Sequence, residues 1–532
     1  MVCRMAAWGG LLGLAACTVG PTYTPPAPPH IAAWKDARAH DAAVSTQTDP
    51  DPQWWNGFAD PTLTYLIQTA IRGNLDLQQA MLRVVESRQS IVTARAAGLP
   101  TLNGTASYVH EQIGAKGILE SQGIYGDLNA LADKGSSLNK LTPGLGSDIG
   151  SGLGNALGPL TQPINLFQYG LDASWELDLF GRVRRSVEQA KASAEAQHEA
   201  TNDALIMLES DVAQAYVQLR GAQALSATQT ENIRAAQRAL DLTQRQQTQG
   251  LTSELDVDQA RTQVLDYQRQ LPGYEKQAQQ AMNQLSVLVG QPPGTLDARL
   301  APTAPLPTLP RVIGVGVPST LARRRPDIRQ AEAQLHAATA NVGVAVASFY
   351  PDISLTGNLG LRAIDASYLT NWASHFYSAG PSISLPIFQG GKLTAGLRMA
   401  RAQAIEATLN YRGTVLNALR EVEDDLVAYR TDRAERDKLA QVVKSGEESL
   451  FLATDQYKHG LGDFLHVLDA QRTVVSARQQ LVQADLTLDD DVVALYRALG
   501  GGWEAPGVGS QAPDIDPATP PLPGALDSVA AD

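Results

Sequence analysis

Apolar residues recur along this chain with two different periods. Over most of its length the period is about 3.6 residues, which is typical of amphipathic helices. The longest such stretches would form helices on the order of 100 Å long, at about 1.5 Å per residue. This pattern predicts long, thin helices rather than one thick core. The helical stretches are 61–97 (with a break at Gly73-Asn74), 181–249 (where Gly221 favours an interruption), 253–289, 319–349, 391–459 and 463–499.

Four shorter stretches alternate apolar and polar residues with a period of two, which predicts strands with one apolar and one polar face. Such strands fit either a water-facing antiparallel sheet or a membrane barrel with a wet lumen. With their flanks they supply the roughly 9–11 residues that cross a bilayer. The predicted strands are about 101–110, 166–180, 352–361 and 381–389.

One pattern occurs twice, which indicates a duplication. Residues 240–271 match residues 450–481 at a constant lag of 210, and Gly250 and Gly460 occupy the same place in the two copies. Each copy predicts a helix, a glycine in the left-handed C-cap conformation, a tight corner and a returning helix. The candidate caps of the returning helices are Thr252 or Ser253 in the first copy and Asp463 in the second.

The strands also fall at matching places in the two copies, with a lag of 251 residues upstream of the strand pairs. The chain is therefore predicted to be mostly α with a small β part, built from a helix–strand–strand–helix–helix repeat that occurs twice. The first repeat covers 60–290 and the second 319–503, and a Pro-rich linker at 291–318 joins them.

The first 16 residues have the features of a lipoprotein signal peptide, and Leu14 to Cys17 form a small-residue cleavage site that ends in cysteine. These four residues resemble the bacterial lipobox, and this resemblance implies diacylglycerol and N-palmitoyl groups on Cys17; the alternative is an ordinary secretory signal with an incidental cysteine. Residues 17–59 are rich in Pro, Thr and Ala and are predicted to be a lipidated tether. The segment 504–532 is predicted to be a disordered acidic tail.

Composition removes several classes of function. The net charge is -13, without a basic stripe to offset it, so nucleic acid is not expected as a partner. The eight histidines are scattered, and no HExxH, GxSxG or Walker-type phosphate loop occurs. The sequence predicts no enzyme activity, no metal site and no cofactor besides the covalent lipid.

Three stretches carry a resemblance to a known family. They are CTVGPTY at 17–23, the RRRPDIRQAEAQLHAATANVGVAVASFYPDISLTGNLG segment at 323–360, and FLHVLDAQR at 464–472 continuing to ALYRALGGGW at 494–503. Together with the duplicated layout, they resemble the TolC-like outer-membrane efflux proteins, and in particular the NodT-type lipoproteins of resistance-nodulation-division efflux systems. The resemblance covers nearly the whole mature chain.

The resemblance implies a homotrimer. Three copies would contribute four strands each to a 12-stranded barrel in outer-membrane lipid, continuous with a long periplasmic α-helical barrel. It further implies two protein partners, a periplasmic adaptor of the membrane fusion type and an inner-membrane pump. The expected function is passive conduction of small molecules from these partners to the outside, by a channel that is lipid-anchored in the bacterial outer membrane and extends into the periplasm.

The same resemblance suggests roles for individual residues. Gly250 and Gly460 would lie at the periplasmic hairpin tips that contact the adaptor. Asp469 falls on one of the acidic positions that ring the family's constriction, and His466 occupies the other, which is a departure from the family pattern. Because imidazole gains charge near pH 6.5, His466 could make the closed gate sensitive to pH; the alternative is a solvated surface histidine.

Further predicted residues lie at the gate and in the barrel. Tyr457 corresponds to a position that helps lock neighbouring hairpins, although Gly462 replaces the family's basic locking residue. Asp256 is placed with the gate, at the first tip. Two other functions stay open: a lipid-anchored periplasmic scaffold without a pore, and a type I protein-export channel. The residues predicted to face the barrel lumen are Asp172, Glu176 and Asp178.

Overall fold

Several predictions concern segments outside the part of the chain that the structure describes. These are the signal peptide 1–16, the lipidation site Cys17, and the tail 504–532 apart from Glu504. The computed structural model describes residues 18–27, 33–35, 43–112 and 163–504, together with scattered positions between 117 and 152.

The chain forms two compact units, and each unit contains pieces of both sequence repeats. The boundary between the repeats is therefore not a boundary between compact units, because strands from both repeats pair in one sheet. The sheet unit consists of Met1–Pro21, Val92–Val187 and Val342–Arg398, and the helical unit consists of Thr22–Ile91, Glu188–Asn341 and Met399–Asp532.

The long helices of the described residues follow the predicted order, except that Arg325 divides the helix predicted at 319–349 into two. In chain order, the described helices are α1 (Pro61–Gly73), α2 (Leu75–Ala96), α3 (Ser137–Leu141), α4 (Arg182–Thr248), α5 (Glu254–Leu288), α6 (Asp297–Leu300), α7 (Pro318–Arg324), α8 (Pro326–Ala347), α9 (Lys392–Lys458) and α10 (Phe464–Ala498). Helices α4 and α9 have 67 residues each, α5 and α10 have 35 each, and α2 and α8 have 22 each. The matched helices keep the lags of 210 and 251 residues that the sequence predicts.

The predicted break at Gly73-Asn74 is present, and one side chain serves both sides of it. The backbone N–H of Asn74 donates to the carbonyl of Ala70 at the end of α1. Its side-chain oxygen accepts from the N–H of Leu77 at 2.9 Å, which satisfies a free donor in the first turn of α2. Its amide nitrogen donates to the carbonyl of Leu288 at 3.0 Å. This asparagine therefore fixes the junction of α1 and α2 on α5.

The predicted interruption near Gly221 is wrong, because α4 continues through it without a break. A Cβ atom at Gly221 would lie 2.2 Å from Cδ2 of Leu486 in α10. The glycine is therefore explained by the close approach of another helix rather than by a change in the path of its own.

Four strands form one antiparallel sheet, in which they neighbour one another in sequence order. A separate parallel pair joins β1 (Val44–Ser45) to β4 (Ile313–Gly314). The strands of the antiparallel sheet are β2 (Thr101–Glu111), β3 (Ile164–Glu176), β5 (Asp352–Ala363) and β6 (His375–Ser384).

Two of the predicted strands have wrong bounds. The fourth strand was predicted at 381–389, but β6 pairs with β5 from His375 opposite Leu361 to Ser384 opposite Asp352. Apolar and polar residues still alternate beyond Ser384, but these residues do not pair with β5. Pro386 lacks the backbone N–H that a ladder hydrogen bond needs. The strand predicted at 166–180 ends at Glu176.

The predicted tether at 17–59 is also wrong over much of its described part. The indole N–H of Trp34 donates to the carbonyl of Gly316 at 3.1 Å, and Trp34 is buried. Strand β1 pairs with β4, which belongs to the predicted linker, so two segments predicted to lack structure pair with each other. Trp54 and Phe58 are almost completely buried in the main hydrophobic core of the helical unit. Burial of such large apolar side chains outweighs the extended tendency of a Pro-rich segment.

Candidate functional site

Polar side chains follow one row across all four strands of the sheet. Residues that stand opposite one another on neighbouring strands point to the same face, so this row marks a polar face. Thr105 Oγ1 donates to Asp172 Oδ2 at 2.8 Å on this face. The row consists of Asn103, Asp172, Asn358 and Ser378.

The row one residue along lies on the opposite face and carries large apolar side chains. Leu359 exposes 54% of its surface and Tyr377 exposes 75%. A continuous exposed apolar face is unfavourable in water and marks a surface that meets lipid or protein. This row consists of Gly104, Leu171, Leu359 and Tyr377.

The sheet has two open edges within the described residues, because β2 and β6 each pair on one side only. An unpaired edge leaves a row of backbone N–H and C=O groups without partners, which hydrocarbon does not tolerate. The four strands have 11, 13, 12 and 10 residues, enough for each to cross a bilayer.

The three predicted lumen carboxylates lie in different surroundings. Asp172 lies in the polar row. Glu176, the last residue of β3, accepts from Arg182 Nε at 3.0 Å and forms an ion pair with that guanidinium. Asp178 lies beyond the strand and accepts from the N–H of Arg184 at 2.9 Å and of Val183 at 3.2 Å. Two of the three carboxylates are therefore engaged where β3 leads into α4.

The two hairpin tips have the same backbone corner. Gly250 and Gly460 have φ angles of 74° and 71°, in the left-handed region that favours glycine. The N–H of the following leucine donates back to a carbonyl five residues earlier, at 2.9 Å in both tips. This hydrogen bond is the signature of the Schellman motif that ends helices.

The returning helices begin with the predicted caps. Ser253 and Asp256 form a capping box at the start of α5, and Asp463 caps α10 by accepting from the N–H of Leu465 at 3.2 Å. Burial acts to raise the pKa of the Asp256 carboxyl, but hydrogen bonds from Thr252 Oγ1 and from Ser253 outweigh it and hold that pKa below its usual range. The carboxylate that was assigned to the gate thus has a local role as a cap.

The neighbouring carboxylate of Asp258 forms a local ion pair. Asp258 accepts from Arg261 Nη1 at 2.7 Å, one turn along α5. Both side chains are more than half exposed, so this ion pair contributes little to stability.

Tyr457 joins the two hairpins of one chain. It is buried, and its ring lies 5.2 Å from that of Phe464. Its hydroxyl donates to Thr252 Oγ1 at 3.4 Å, and Thr252 Oγ1 in turn donates to Asp256 Oδ2 at 2.5 Å. Gln246 Nε2 also donates to the backbone carbonyl of Tyr457 at 3.2 Å. The structure therefore links two of the predicted gate residues through a threonine hydroxyl.

The other two predicted gate residues stand apart from this link. His466 and Asp469 are exposed and lie three residues apart on α10, so they share one helix face. Within the described residues, neither side chain forms a hydrogen bond or an ion pair. Gly462, at the corner, contributes no side chain there.

Further contacts between the hairpins escaped the sequence analysis. Arg472 Nε donates to Gln263 Oε1 at 2.8 Å, and Gln479 Nε2 donates to Gln229 Oε1 at 3.1 Å. Glutamines at helical spacing are usually solvated surface residues, so the sequence carries no signal that singles these out.

Two of the motifs that carry the family resemblance meet in space. Arg325 bonds Asp327 and Glu421 at 2.8 and 2.9 Å, and its Nη1 donates to the carbonyl of Ala498 at 2.8 Å. Burial acts to lower the pKa of Arg325, but Asp327 and Glu421 together raise it. A Cβ atom on Gly500 would lie 2.9 Å from the Arg325 side chain, which explains a glycine there. The RRRPD and ALGGGW segments therefore hold the start of α8 against the end of α10.

Among the described residues, the helices include none whose length and apolar character would let it cross a membrane. The described part of the chain likewise brings no three His, Cys, Asp or Glu side chains into an arrangement that could hold a metal ion.

Comparisons with known proteins agree on one family. The model of the outer membrane efflux protein family matches residues 66–291 and 317–501. The nodulation protein T of Rhizobium leguminosarum bv. viciae is 32% identical over 514 residues, which cover 95% of each chain. The solvent efflux pump outer membrane protein SrpC of Pseudomonas putida is 34% identical over 495 residues, 93% of this chain and 97% of SrpC. The solved outer-membrane channel OprN is 32% identical with a TM-score of 0.78, covering 92% of this chain and 100% of that one.

Duplicated helical hairpins combined with a sheet that has one apolar face define a TolC-like outer-membrane channel protein. The chain belongs to the outer membrane efflux protein family. It is the outer-membrane channel component of an efflux pump, and it is located in the outer membrane and extends into the periplasm.

Proposed function

We propose that three copies of this chain assemble into a channel that passively conducts small molecules out of the cell. Each copy contributes four strands to a 12-stranded outer-membrane barrel and its helices to a periplasmic tube. The observation that carries this proposal is the four-stranded sheet, with a polar row on one face, large exposed apolar side chains on the other, and two open edges. Pairing β2 of one copy with β6 of the next removes both open edges.

The proposal includes two protein partners. A periplasmic adaptor contacts the hairpin tips at Gly250 and Gly460, and an inner-membrane pump of the resistance-nodulation-division type supplies the molecules that pass. Small molecules are favoured over exported proteins because relatives are named for solvent, toluene and antibiotic efflux. The two faces of the sheet favour a channel over a scaffold without a pore. A scaffold would need neither the exposed apolar face nor the polar row on the opposite face.

The gate is proposed to lie on the free face of α10. Asp469 projects from the exposed side of that helix without a partner in the described residues, so three copies around a three-fold axis would form a ring of carboxylates that favours cations. His466 lies one turn closer to the tip. Because imidazole gains charge between pH 8 and pH 5, we propose that it makes conduction depend on pH.

Asp172 is the carboxylate proposed to face the lumen, while Glu176 and Asp178 lie near the start of α4.

Cys17 is proposed to carry the diacylglycerol and N-palmitoyl groups. The chain directly after it is held on the sheet unit, because the N–H of Val19 donates to the carbonyl of Phe180 at 3.2 Å and Thr18 packs against Gly181. The mass of the N-terminal peptide tests this: a Cys17→Ser variant should lose the added lipid mass, and an unmodified Cys17 peptide would contradict the assignment.

Conductance across a planar lipid bilayer tests the channel. The detergent-extracted protein should form a particle with three times the mass of one chain and open in discrete, cation-selective steps. Asp469→Ala should enlarge the conductance and weaken cation selectivity, whereas Asp258→Ala at the other tip should leave both unchanged. A single-chain particle that never conducts would favour the scaffold without a pore.

The pH dependence has its own test. The conductance of the His466→Ala channel should change less between pH 5 and pH 8 than that of the parent. His459→Ala is the matched control, because His459 is also exposed and already bonds the carbonyl of Asp455 at 2.8 Å. If the His466→Ala channel keeps the parent profile, histidine does not sense pH at the gate.

A further inference from the structure

A groove of about 440 Å³ lies between the two hairpins of the helical unit. We call it the hairpin groove. Its volume falls in the range of roughly 300–1,000 Å³ that is usual for sites that hold drug-sized molecules. Its apolar floor combines α4 of the first hairpin with α9 and α10 of the second, through Leu242, Leu450, Tyr457, Phe464 and Val467.

The rim of the hairpin groove is basic, although the whole chain has a net charge of -13. Arg238 and Arg245 project from α4, and Lys458 stands at the end of α9. Asp241 is the one carboxylate among the lining residues. All four side chains are exposed, and none forms an ion pair or hydrogen bond within the described part of the chain. Three free cations around an apolar floor complement an anion with an apolar body.

A further polar group lines the hairpin groove from inside. Gln471 is 97% buried, at a relative exposure of 3%. Its side-chain oxygen has no hydrogen-bond partner, although the residue lines the groove. A buried carbonyl oxygen without a donor is costly, so a ligand that donates an O–H or N–H here would gain that hydrogen bond.

We propose that the hairpin groove is a binding site for amphipathic aromatic anions of the hydroxy-carboxylate class. The flat apolar body lies on the aromatic and aliphatic floor, and the carboxylate faces Arg238 and Arg245. The hydroxyl donates to the free oxygen of Gln471. Because the ligand contacts α4, α9 and α10, it holds the first hairpin to the second.

The probe is 6-hydroxy-2-naphthoate, titrated calorimetrically into the full-length protein in an uncharged maltoside detergent, with detergent alone as the blank. We expect saturable binding of one probe per chain. The analogue 2-naphthoate, which lacks the hydroxyl, and the uncharged 6-hydroxy-2-naphthamide should each bind about tenfold more weakly, because each loses one polar contact.

Variants localise the site. Arg238→Gln combined with Arg245→Gln should weaken binding by about tenfold, while Arg83→Gln combined with Arg88→Gln, which removes two exposed arginines from α2, should not. Asp241→Asn should strengthen binding by removing the carboxylate from the rim. The Gln471→Leu protein should bind 6-hydroxy-2-naphthoate and 2-naphthoate equally.

Three results would overturn the proposal. The first is no saturable heat above the detergent blank. The second is equal weakening by the two arginine pairs, and the third is equal affinity for the charged and uncharged probes. Binding is measured without any current, so a negative result leaves the proposed channel untouched.

Discussion

The two hairpin tips of this chain share one backbone corner and differ in what holds it in place. Gly250 and Gly460 have nearly the same φ angle and are followed by the same backbone hydrogen bond. Around that corner the side chains have diverged. At the lag of 210 residues, the exposed Glu254 of the first tip corresponds to the buried Phe464 of the second.

The divergence makes the contact between the tips asymmetric. The second tip contributes an aromatic pair, Tyr457 and Phe464, to a small hydrophobic cluster. The first tip contributes the hydroxyl of Thr252 and the carboxylate of Asp256. The Tyr457 hydroxyl donates a hydrogen bond to Thr252 Oγ1, which donates in turn to Asp256 Oδ2. The two tips therefore share a backbone corner, which local sequence controls, and differ in the side chains through which the two hairpins touch.

The largest expected difference between the two tips is the loss of local stability when Phe464 or its counterpart Glu254 is replaced by alanine. Phe464→Ala should lower the opening free energy of the amides around 457–468 by about 3–5 kcal/mol, because a fully buried ring is lost. Glu254→Ala at the corresponding place should change it by less than about 0.5 kcal/mol. Amide hydrogen exchange of the assembled protein measures both. Similar losses in the two variants would mean that the tips are held alike.

An intermediate effect should be shared by the tips. Gly250→Ala and Gly460→Ala should each lower local stability by about 1–2 kcal/mol, because alanine is strained at positive φ. No atom lies within 4 Å of an added Cβ at either glycine, so the cost comes from the backbone alone. Gly273→Ala, inside α5 and equally uncrowded, should instead stabilise by about 0.5–1 kcal/mol. Amide hydrogen exchange at each corner measures the two losses of local stability, and clearly unequal losses at Gly250 and Gly460 would contradict the prediction.

The smallest effect should be confined to the first tip. Asp256→Asn weakens the capping box and should lower the stability of the start of α5 by about 1 kcal/mol at pH 7. The folded-state pKa of Asp256 is depressed, so its contribution is full above the unfolded pKa of about 4 and is lost as the pH falls through the folded value. The difference between parent and variant should therefore vanish in acid.

A matched variant sharpens this last prediction. Asp258→Asn removes an exposed partner of Arg261 and should cost less than about 0.5 kcal/mol. Exchange rates corrected for the intrinsic effect of pH give the comparison. A difference between parent and Asp256→Asn that persists below pH 3 would show that the carboxylate does not act through the capping box.

Sequence reasoning succeeded wherever a feature depends on neighbours along the chain. The glycine corners, the caps at Ser253 and Asp463 and the break at Asn74 are local, because each is set by backbone conformation and by hydrogen bonds that span a few residues. The sequence did not show that Asp256 caps α5, because a charge near a tip looks the same from the sequence whether it caps a helix or faces a pore. Its place at the gate stays a prediction.

What the sequence determined by itself is the duplicated order of long helices and two-faced strands, since hydrophobic periodicity follows from the geometry of each element. Only the tertiary structure decided that the Pro-rich segment around Trp54 and Phe58 belongs to the core, and that Arg325 clasps the end of α10. It also gave the register in which β3 pairs with β5, the contact that joins strands of the two repeats. These contacts join residues that lie far apart in the sequence, and their energy comes from burial and complementary shape, which no local pattern records.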